Sequence, residues 1–164
     1  VTQTEPAEID RPYFPVRKKK KIIKKGIEPQ ATVSIITKSP MTWDKKQILD
    51  LKIMAEVLDI RLRETMREDQ GRVYGVQIMQ LAKKWKTPEA TIKISFVCAP
   101  EAVDTLLITI YSEIDKLKKE GPASVNVEKE KEILVRNLET DYKTNSYWKS
   151  VLESKFSKEF EIEN

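Results

Sequence analysis

A regular stripe of apolar side chains over residues 48–66 constrains the fold more than any other feature of this chain. Its members recur at steps of three and four residues, the spacing of one face of an α-helix: Ile48, Leu51, Ala55, Leu58, Leu62 and Met66. Asp44 followed by Gln47 fits a capping box at the start of this helix. Gly71 lies beyond the stripe and is a natural stop. The pattern therefore predicts an amphipathic helix from about residue 44 to residue 69.

Three segments of alternating or β-branched residues flank this helix and predict strands. They are residues 32–38, which Pro40 bounds, and residues 73–81 and 90–98, which a turn around residues 85–89 joins. In the third segment one face is apolar: Ile92, Ile94, Phe96 and Cys98. The pattern predicts a strand with one buried face and a structural thiol at Cys98. The opposite face, with Lys93 and Ser95, is expected to be exposed to solvent; contact with a partner or a cavity is the alternative.

The rest of the chain is helical in pattern. A helix is predicted to begin at Pro100 and to end at Gly121-Pro122. Its buried stripe is Val103, Leu107, Ile110, Ile114 and Leu117. Two further helices are predicted over about 126–142 and 145–158. The order of strand, helix, two strands and several helices predicts an α+β fold, a two-layer sandwich of a mainly antiparallel sheet with helices packed on one face.

Composition fits one globular domain with a local excess of positive charge. The 164 residues are 40% hydrophobic and 34% charged, with a net charge of +4. Seven positive charges lie in residues 17–25, so the remainder of the chain is slightly negative. This basic segment has no interleaved aromatic residues, which favours a solvated extension or an edge strand over a site for nucleic acid or anionic lipid. No apolar run is long enough to span a membrane.

The chain contains no histidine and one cysteine, which excludes most hydrolytic sites. Zinc ligation and Ser–His or Cys–His dyads all lack their imidazole, and the acidic residues mostly fall on helix surfaces beside lysines. The four glycines are too dispersed for a phosphate-binding loop. We therefore expect no metal or cofactor in this chain. A lysine as the base for a serine or cysteine nucleophile stays open, but any metal or histidine base must come from elsewhere.

Arg67 and Tyr74 are the remaining candidates for a functional site. Arg67 falls at the predicted helix end and Tyr74 at a predicted strand start, so a guanidinium and a phenol can reach one rim of the fold. Such a pair could stabilise a developing oxyanion and hold a substrate backbone. The structural alternative is an arginine that favours a helix C-terminus and a strand aromatic on the same face as Val76 and Ile78.

Several segments together resemble the pitrilysin/insulinase family of zinc metallopeptidases, the inverzincins. The similarity covers about residues 27–157 and is greatest to the C-terminal, non-zinc domains of bacterial members. It rests on the order of these segments: Glu28-Pro29 before a strand, residues 58–63, residues 67–75, Cys98-Ala99-Pro100 and Asn145-Ser146-Tyr147-Trp148.

The resemblance implies a role within a larger enzyme. Members carry an inverted His-x-x-Glu-His motif and consist of homologous α+β domains around a chamber, with zinc and the general-base glutamate in an N-terminal domain. A C-terminal domain supplies an arginine and a tyrosine that bind the substrate backbone and the tetrahedral intermediate; Arg67 and Tyr74 match this pair. Asn145, Tyr147 and Trp148 match packing and loop residues. Exposed edge strands could pair with an extended peptide substrate.

The departures from the family pattern shape what we expect of this chain. Without histidine it is expected to be inactive alone, with zinc in the N-terminal part of a parent protein. The chain begins with Val, has no Met before Met41 and stops at Asn164, so we interpret it as a fragment. Residues 1–26 are expected to form a linker or arm, and residues 27–164 a single α+β peptidase domain.

The expected partners are the N-terminal peptidase domains of the same protein and an extended peptide, with no nucleic acid and no membrane span. A periplasmic or otherwise exported bacterial location is favoured over the cytoplasm. The alternative function is that of a non-catalytic structural or interaction domain in a degenerate member of the same family.

Overall fold

The predicted order of elements is confirmed by the computed structural model, which describes residues 18–25, 27–67, 73–84 and 87–156. The elements are β1 (Ala31–Pro40), α1 (Lys45–Arg67), β2 (Val73–Lys83), β3 (Glu89–Cys98), a 3-10 turn (Pro100–Ala102), α2 (Val103–Glu120), α3 (Ser124–Asp141) and α4 (Asn145–Phe156). The predicted helix stop at Gly71, the turn residue Trp85 and the last predicted helical residues, 157–158, lie outside the described residues.

The three strands form one antiparallel sheet in the order β1-β3-β2. In the central row Ile94 of β3 pairs with Ile35 of β1 and with Ile78 of β2. Because side chains alternate along each strand, this register puts the apolar members of all three strands on one face. The two-layer α+β prediction is confirmed, since α1 and α2 contribute to a core on that same face.

The core lies between the sheet and the first two helices. Its most deeply buried side chains come from each layer: Leu62 of α1, Phe96 and Cys98 of β3, and Leu106 and Ile110 of α2. Full burial of a Leu, Ile or Phe side chain is worth about 1.5–3 kcal/mol relative to exposure. The predicted burial of Cys98 is confirmed.

Helix α1 is buried on more than the predicted face. Its predicted stripe is buried from Leu51 to Met66, but Ile53 and Val57 are buried as well. Besides β2 and α2, α1 also contacts α3. At its start, the Asp44 carboxylate accepts a hydrogen bond from the Gln47 N–H at 2.8 Å. The Gln47 side chain does not return this bond to Asp44; it accepts the N–H of Thr42 at 3.0 Å.

The start of α2 differs from the prediction. Pro100 opens a 3-10 turn, and the α-helix begins only at Val103. The buried apolar side chains of α2 are Leu106 and Ile110. Leu106 was not part of the predicted stripe. Ile110 was, and the remaining members of that stripe are partly buried beside the core: Val103, Leu107, Ile114 and Leu117. The predicted stop is confirmed: Gly121 is the C-cap, with φ +74°, and its N–H donates to the Leu117 carbonyl.

The basic segment Lys18–Lys25 is a solvated extension along α2. It has no helix or strand, and all its side chains are exposed. The Lys18 Nζ lies 5.2 Å from the centre of the Tyr111 ring, and Lys20 Nζ lies 3.9 Å from Asp104 Oδ1. Of the two structural alternatives, the extension is therefore found and the edge strand is not.

The second face of the sheet has no helix packed on it within the described residues. Its cross-strand contacts are polar: the Ser34 and Ser95 hydroxyls lie 3.4 Å apart, and Lys38 Nζ donates to Glu89 Oε1 at 2.6 Å. Three exposed apolar side chains, Ile36, Met79 and Leu81, also lie on it.

Candidate functional site

Arg67 and Tyr74 lie at the two ends of the connection from α1 to β2. Arg67 is the last residue of α1, and Tyr74 is the second residue of β2. Met66, beside Arg67, belongs to the same core as Val76 and Cys98, so the end of α1 packs near the start of β2. The connecting residues 68–72 and the side chains of Arg67 and Tyr74 lie outside what the structure describes, so the convergence of the two groups stays a prediction.

The backbone at Tyr74 departs from regular strand pairing. Val73 pairs with Cys98 of β3, whereas Gly75 pairs with the preceding residue, Val97. Tyr74 is therefore an extra residue in β2, which defines a β-bulge. Simple alternation with Val76, the basis of the structural alternative for Tyr74, does not extend across such a bulge.

Gly75, directly after the bulge residue, has a backbone conformation that other residues rarely adopt. Its φ is +154°, and a Cβ built on it would meet no heavy atom within 4 Å. The glycine is thus required by the local backbone angle and not by a close neighbour. Sequence reasoning missed both the bulge and the role of Gly75; a glycine inside a strand pattern was the available signal.

Arg61 of α1 forms ion pairs with α2 and is not a free substrate ligand. Its Nε lies 3.5 Å from Glu113 Oε2, and its Nη2 lies 3.8 Å from Glu120 Oε2. Lys116 Nζ adds a 2.6 Å contact to the buried Glu113. These contacts neutralise a carboxylate at the interface of α1 and α2, since a buried charge is tolerated only when paired.

The Cys98 thiol is expected to be unreactive. Desolvation by burial, followed by the negative charge of Glu101, raises the pKa of the Cys98 thiol above its ordinary value. A thiol that holds its proton is a poor nucleophile. The end of the sheet beside Tyr74 therefore gains no nucleophile from this residue.

A cluster of aromatic rings forms the corner between α3 and α4. The Trp148 Nε1–H donates to the Tyr142 carbonyl at 2.9 Å, and the Tyr147 ring lies edge-on to both other rings, 4.8 and 5.4 Å away. A side-chain hydrogen bond with Tyr142 raises the pKa of Tyr147. With Asn145 as the first residue of α4, these residues fix a helix corner. This agrees with packing and loop roles for Asn145, Tyr147 and Trp148.

Metal-binding clusters and membrane spans were sought in the described part of the chain. Among residues 18–25, 27–67, 73–84 and 87–156, no three Cys, Asp or Glu residues are grouped so as to hold a metal ion. In the same ranges no helix has the length and apolar character needed to cross a membrane.

Sequence comparison relates the chain to peptidases. The profile of the family described as the peptidase M16 inactive domain matches residues 2–134. The probable zinc protease PqqL of Haemophilus influenzae is 29% identical over 94 residues, which are 57% of this chain and 10% of that protein. A zinc protease PQQL-like protein of Arabidopsis thaliana is 24% identical over 143 residues, 82% of this chain and 15% of that protein.

Two solved structures share the fold. The periplasmic protease PqqL from Escherichia coli superposes with a TM-score of 0.68 at 20% identity, over 77% of this chain and 14% of that one. A mutant of the ferredoxin protease FusC, in complex with Arabidopsis ferredoxin, gives 0.65 at 16% identity over 79% and 14% of the two chains. The chain thus spans 10–15% of the length of these proteins.

Proposed function

This chain belongs to the family of M16 peptidase inactive domains, and we propose that it binds substrate and stabilises the transition state in a zinc metalloendopeptidase. Arg67 and Tyr74 are the proposed site residues. The proposal is supported above all by the bulge at Tyr74, which interrupts β2 where it starts beside the end of α1. Bulges are over-represented next to active sites, where they redirect a side chain.

The proposed chemistry divides between this chain and its neighbours. Zinc held by the N-terminal domains of the same protein supplies a Lewis acid and an activated nucleophile for peptide hydrolysis. Tyr74 donates a hydrogen bond to the oxyanion that develops on the scissile carbonyl. Arg67 donates to a neighbouring substrate carbonyl and so holds the peptide in register. Within the described sheet β1 and β2 each have one unpaired edge, and an extended peptide could add to such an edge with little sequence preference.

The test is peptide cleavage by the full-length protein, with and without a chelator, comparing wild type with Tyr74→Phe. Loss of one oxyanion donor lowers kcat by roughly 10²–10³ with the fold intact. Tyr111→Phe is the matched control, because it removes a phenol from the exposed side of α2, which the proposal does not place in the site. Unchanged kcat in Tyr74→Phe would remove Tyr74 from the proposed site.

A structural or interaction domain is the second candidate function. It is favoured by the description of the matching family as an inactive domain. Such a domain predicts chelator-sensitive cleavage that is insensitive to Tyr74→Phe, or no cleavage by the wild-type protein.

The location proposed for the parent protein is the bacterial periplasm or another exported compartment. The solved Escherichia coli relative is described as a periplasmic protease, which supports this proposal. Osmotic-shock fractionation of the native cells, followed by immunodetection with cytoplasmic and periplasmic markers, distinguishes the two compartments.

A further inference from the structure

The bulge in β2 depends on a backbone angle that only one residue type adopts readily. Tyr74 is the extra residue between the pairs Val73–Cys98 and Gly75–Val97, after which regular pairing resumes at Val76. The inserted residue bends the strand, and residues at bulges often have backbone angles outside the regular strand range. Here the residue with such an angle is Gly75, with φ +154°.

The surroundings of Gly75 show that it does not serve close packing. It is exposed, and an added Cβ would have no heavy atom within 4 Å. Where a glycine is needed for close approach to a neighbour, a Cβ added to it would meet backbone or side-chain atoms. An alanine at this position therefore changes the preferred backbone angle without a steric clash, so it probes the bulge alone.

We propose that Gly75 is a positioning residue for Tyr74: its positive φ holds the bulge that sets the direction from which the Tyr74 phenol meets the substrate oxyanion. The inference rests on the proposed function of Tyr74. A donor aimed at an oxyanion acts mainly in the transition state, so a shift of its backbone lowers kcat and leaves KM nearly constant. Displacement by about 1 Å can cost on the order of 10²-fold in rate.

The experiment compares Gly75→Ala with Gly121→Ala in the full-length protein. Gly121 also has positive φ, +74°, and open space around an added Cβ, but it caps α2 away from the proposed site. Both substitutions strain the backbone without a clash. We expect Gly75→Ala to lower kcat by about 10- to 100-fold with KM changed less than about threefold, and Gly121→Ala to leave both constants near wild type.

The double mutant Gly75→Ala/Tyr74→Phe distinguishes a positioning role of Gly75 from a general disturbance of the fold. If Gly75 acts through the Tyr74 hydroxyl, Gly75→Ala causes no further loss of kcat in the Tyr74→Phe background. Equal losses in both backgrounds overturn the inference. Gly75→Asn provides a second variant if Gly75→Ala fails to fold, because its polar side chain suits this exposed position. Asparagine tolerates positive φ mainly in the left-handed helical region, about +50 to +70°, so at φ +154° it is expected to lower kcat as Gly75→Ala does.

The failures of the inference and of the proposed function are distinguishable. If Tyr74→Phe lowers kcat while Gly75→Ala and Gly75→Asn behave like Gly121→Ala, the positioning role is overturned and the proposed function stands. If Tyr74→Phe itself leaves kcat unchanged, the proposed function and the inference that rests on it are both overturned.

Discussion

At the scale of single residues, Cys98 connects the chemistry of one buried thiol to the stability of the sheet. It lies in the last position of the central strand, paired with Ala31 on one side and Val73 on the other. Burial raises the pKa of this thiol, with a further contribution from Glu101. The folded state therefore keeps the proton at a pH at which the unfolded thiol has lost it.

The pH dependence that follows has a definite sign. Above the ordinary thiol pKa of about 8.5 and up to the raised value in the folded protein, the folded state binds more protons, so rising pH lowers the free energy of unfolding. Below that window both states are protonated and the effect vanishes. Urea unfolding at pH 7.5 and 9.5 should show a smaller loss of stability in Cys98→Ala than in wild type. Equal losses in the two proteins would contradict this prediction, since lysines and tyrosines titrate alike in both.

Two of the three arginines of α1 differ in role: Arg61 has a structural role, and Arg67 is a site candidate. Arg61 is turned to α2, where Glu113 and Glu120 lie within 3.5–3.8 Å of its guanidinium. Arg67 ends the helix, beside the connection to β2. The two residues are of the same type, so their roles differ because of their positions along the helix. Arg61 lies at the interface with α2 and forms ion pairs there, whereas Arg67 lies at the helix end and is proposed to reach a substrate.

At the scale of elements, α1 carries much of the packing because it contacts the sheet, α2 and α3. Leu62 is fully buried and belongs to the shared core, whereas Leu49, in the first turns of the same helix, is 47% exposed. Leu62→Ala is expected to lower the free energy of unfolding by about 2–5 kcal/mol through lost burial and a residual cavity.

The matched substitution Leu49→Ala has the same helix propensity change with little packing loss. It is expected to cost less than about 1 kcal/mol, close to the range of surface substitutions. Urea denaturation followed by circular dichroism measures both variants. Similar losses in the two would show that α1 owes its stability to local helix formation and not to the core.

The elements that the sequence predicted well are those whose signal is local. The stripe of α1 and the alternation of β3 appear in the order of the residues themselves, because α1 packs one face against the sheet and β3 packs one face against the helices. The burial of Ile53 and Val57 was not predicted, because these residues lie outside the apolar stripe, and the contact of α1 with α3 joins segments distant in the sequence. The bulge was missed for a similar reason: it exists only in the register between β2 and β3.

At the scale of the whole molecule, the sequence limits the chemistry more firmly than it defines the site. The absence of histidine excludes the usual catalytic zinc ligands, and this conclusion needs no structure. Arg67 and Tyr74 were candidates from their positions at a predicted helix end and strand start, but their residue types also suit structural roles, and only the family resemblance favoured the functional interpretation. The geometry between them depends on how β2 is set against α1 and, in the proposed enzyme, on domains beyond this chain.

Because we propose that the catalytic groups are divided between this chain and other domains of the same protein, the isolated chain is expected to be catalytically incomplete. Peptide cleavage by the 164-residue chain should be absent even with added zinc, because a catalytic zinc site in such enzymes uses imidazole ligands and this chain has none. The full-length protein, assayed in parallel on the same peptides, should show cleavage that a chelator abolishes and zinc restores. Zinc-dependent cleavage by the isolated chain that persists in its Tyr74→Phe variant would point to a contaminating protease. If that cleavage is instead lost in the variant, the chain contains a complete site of its own and the proposed division is wrong.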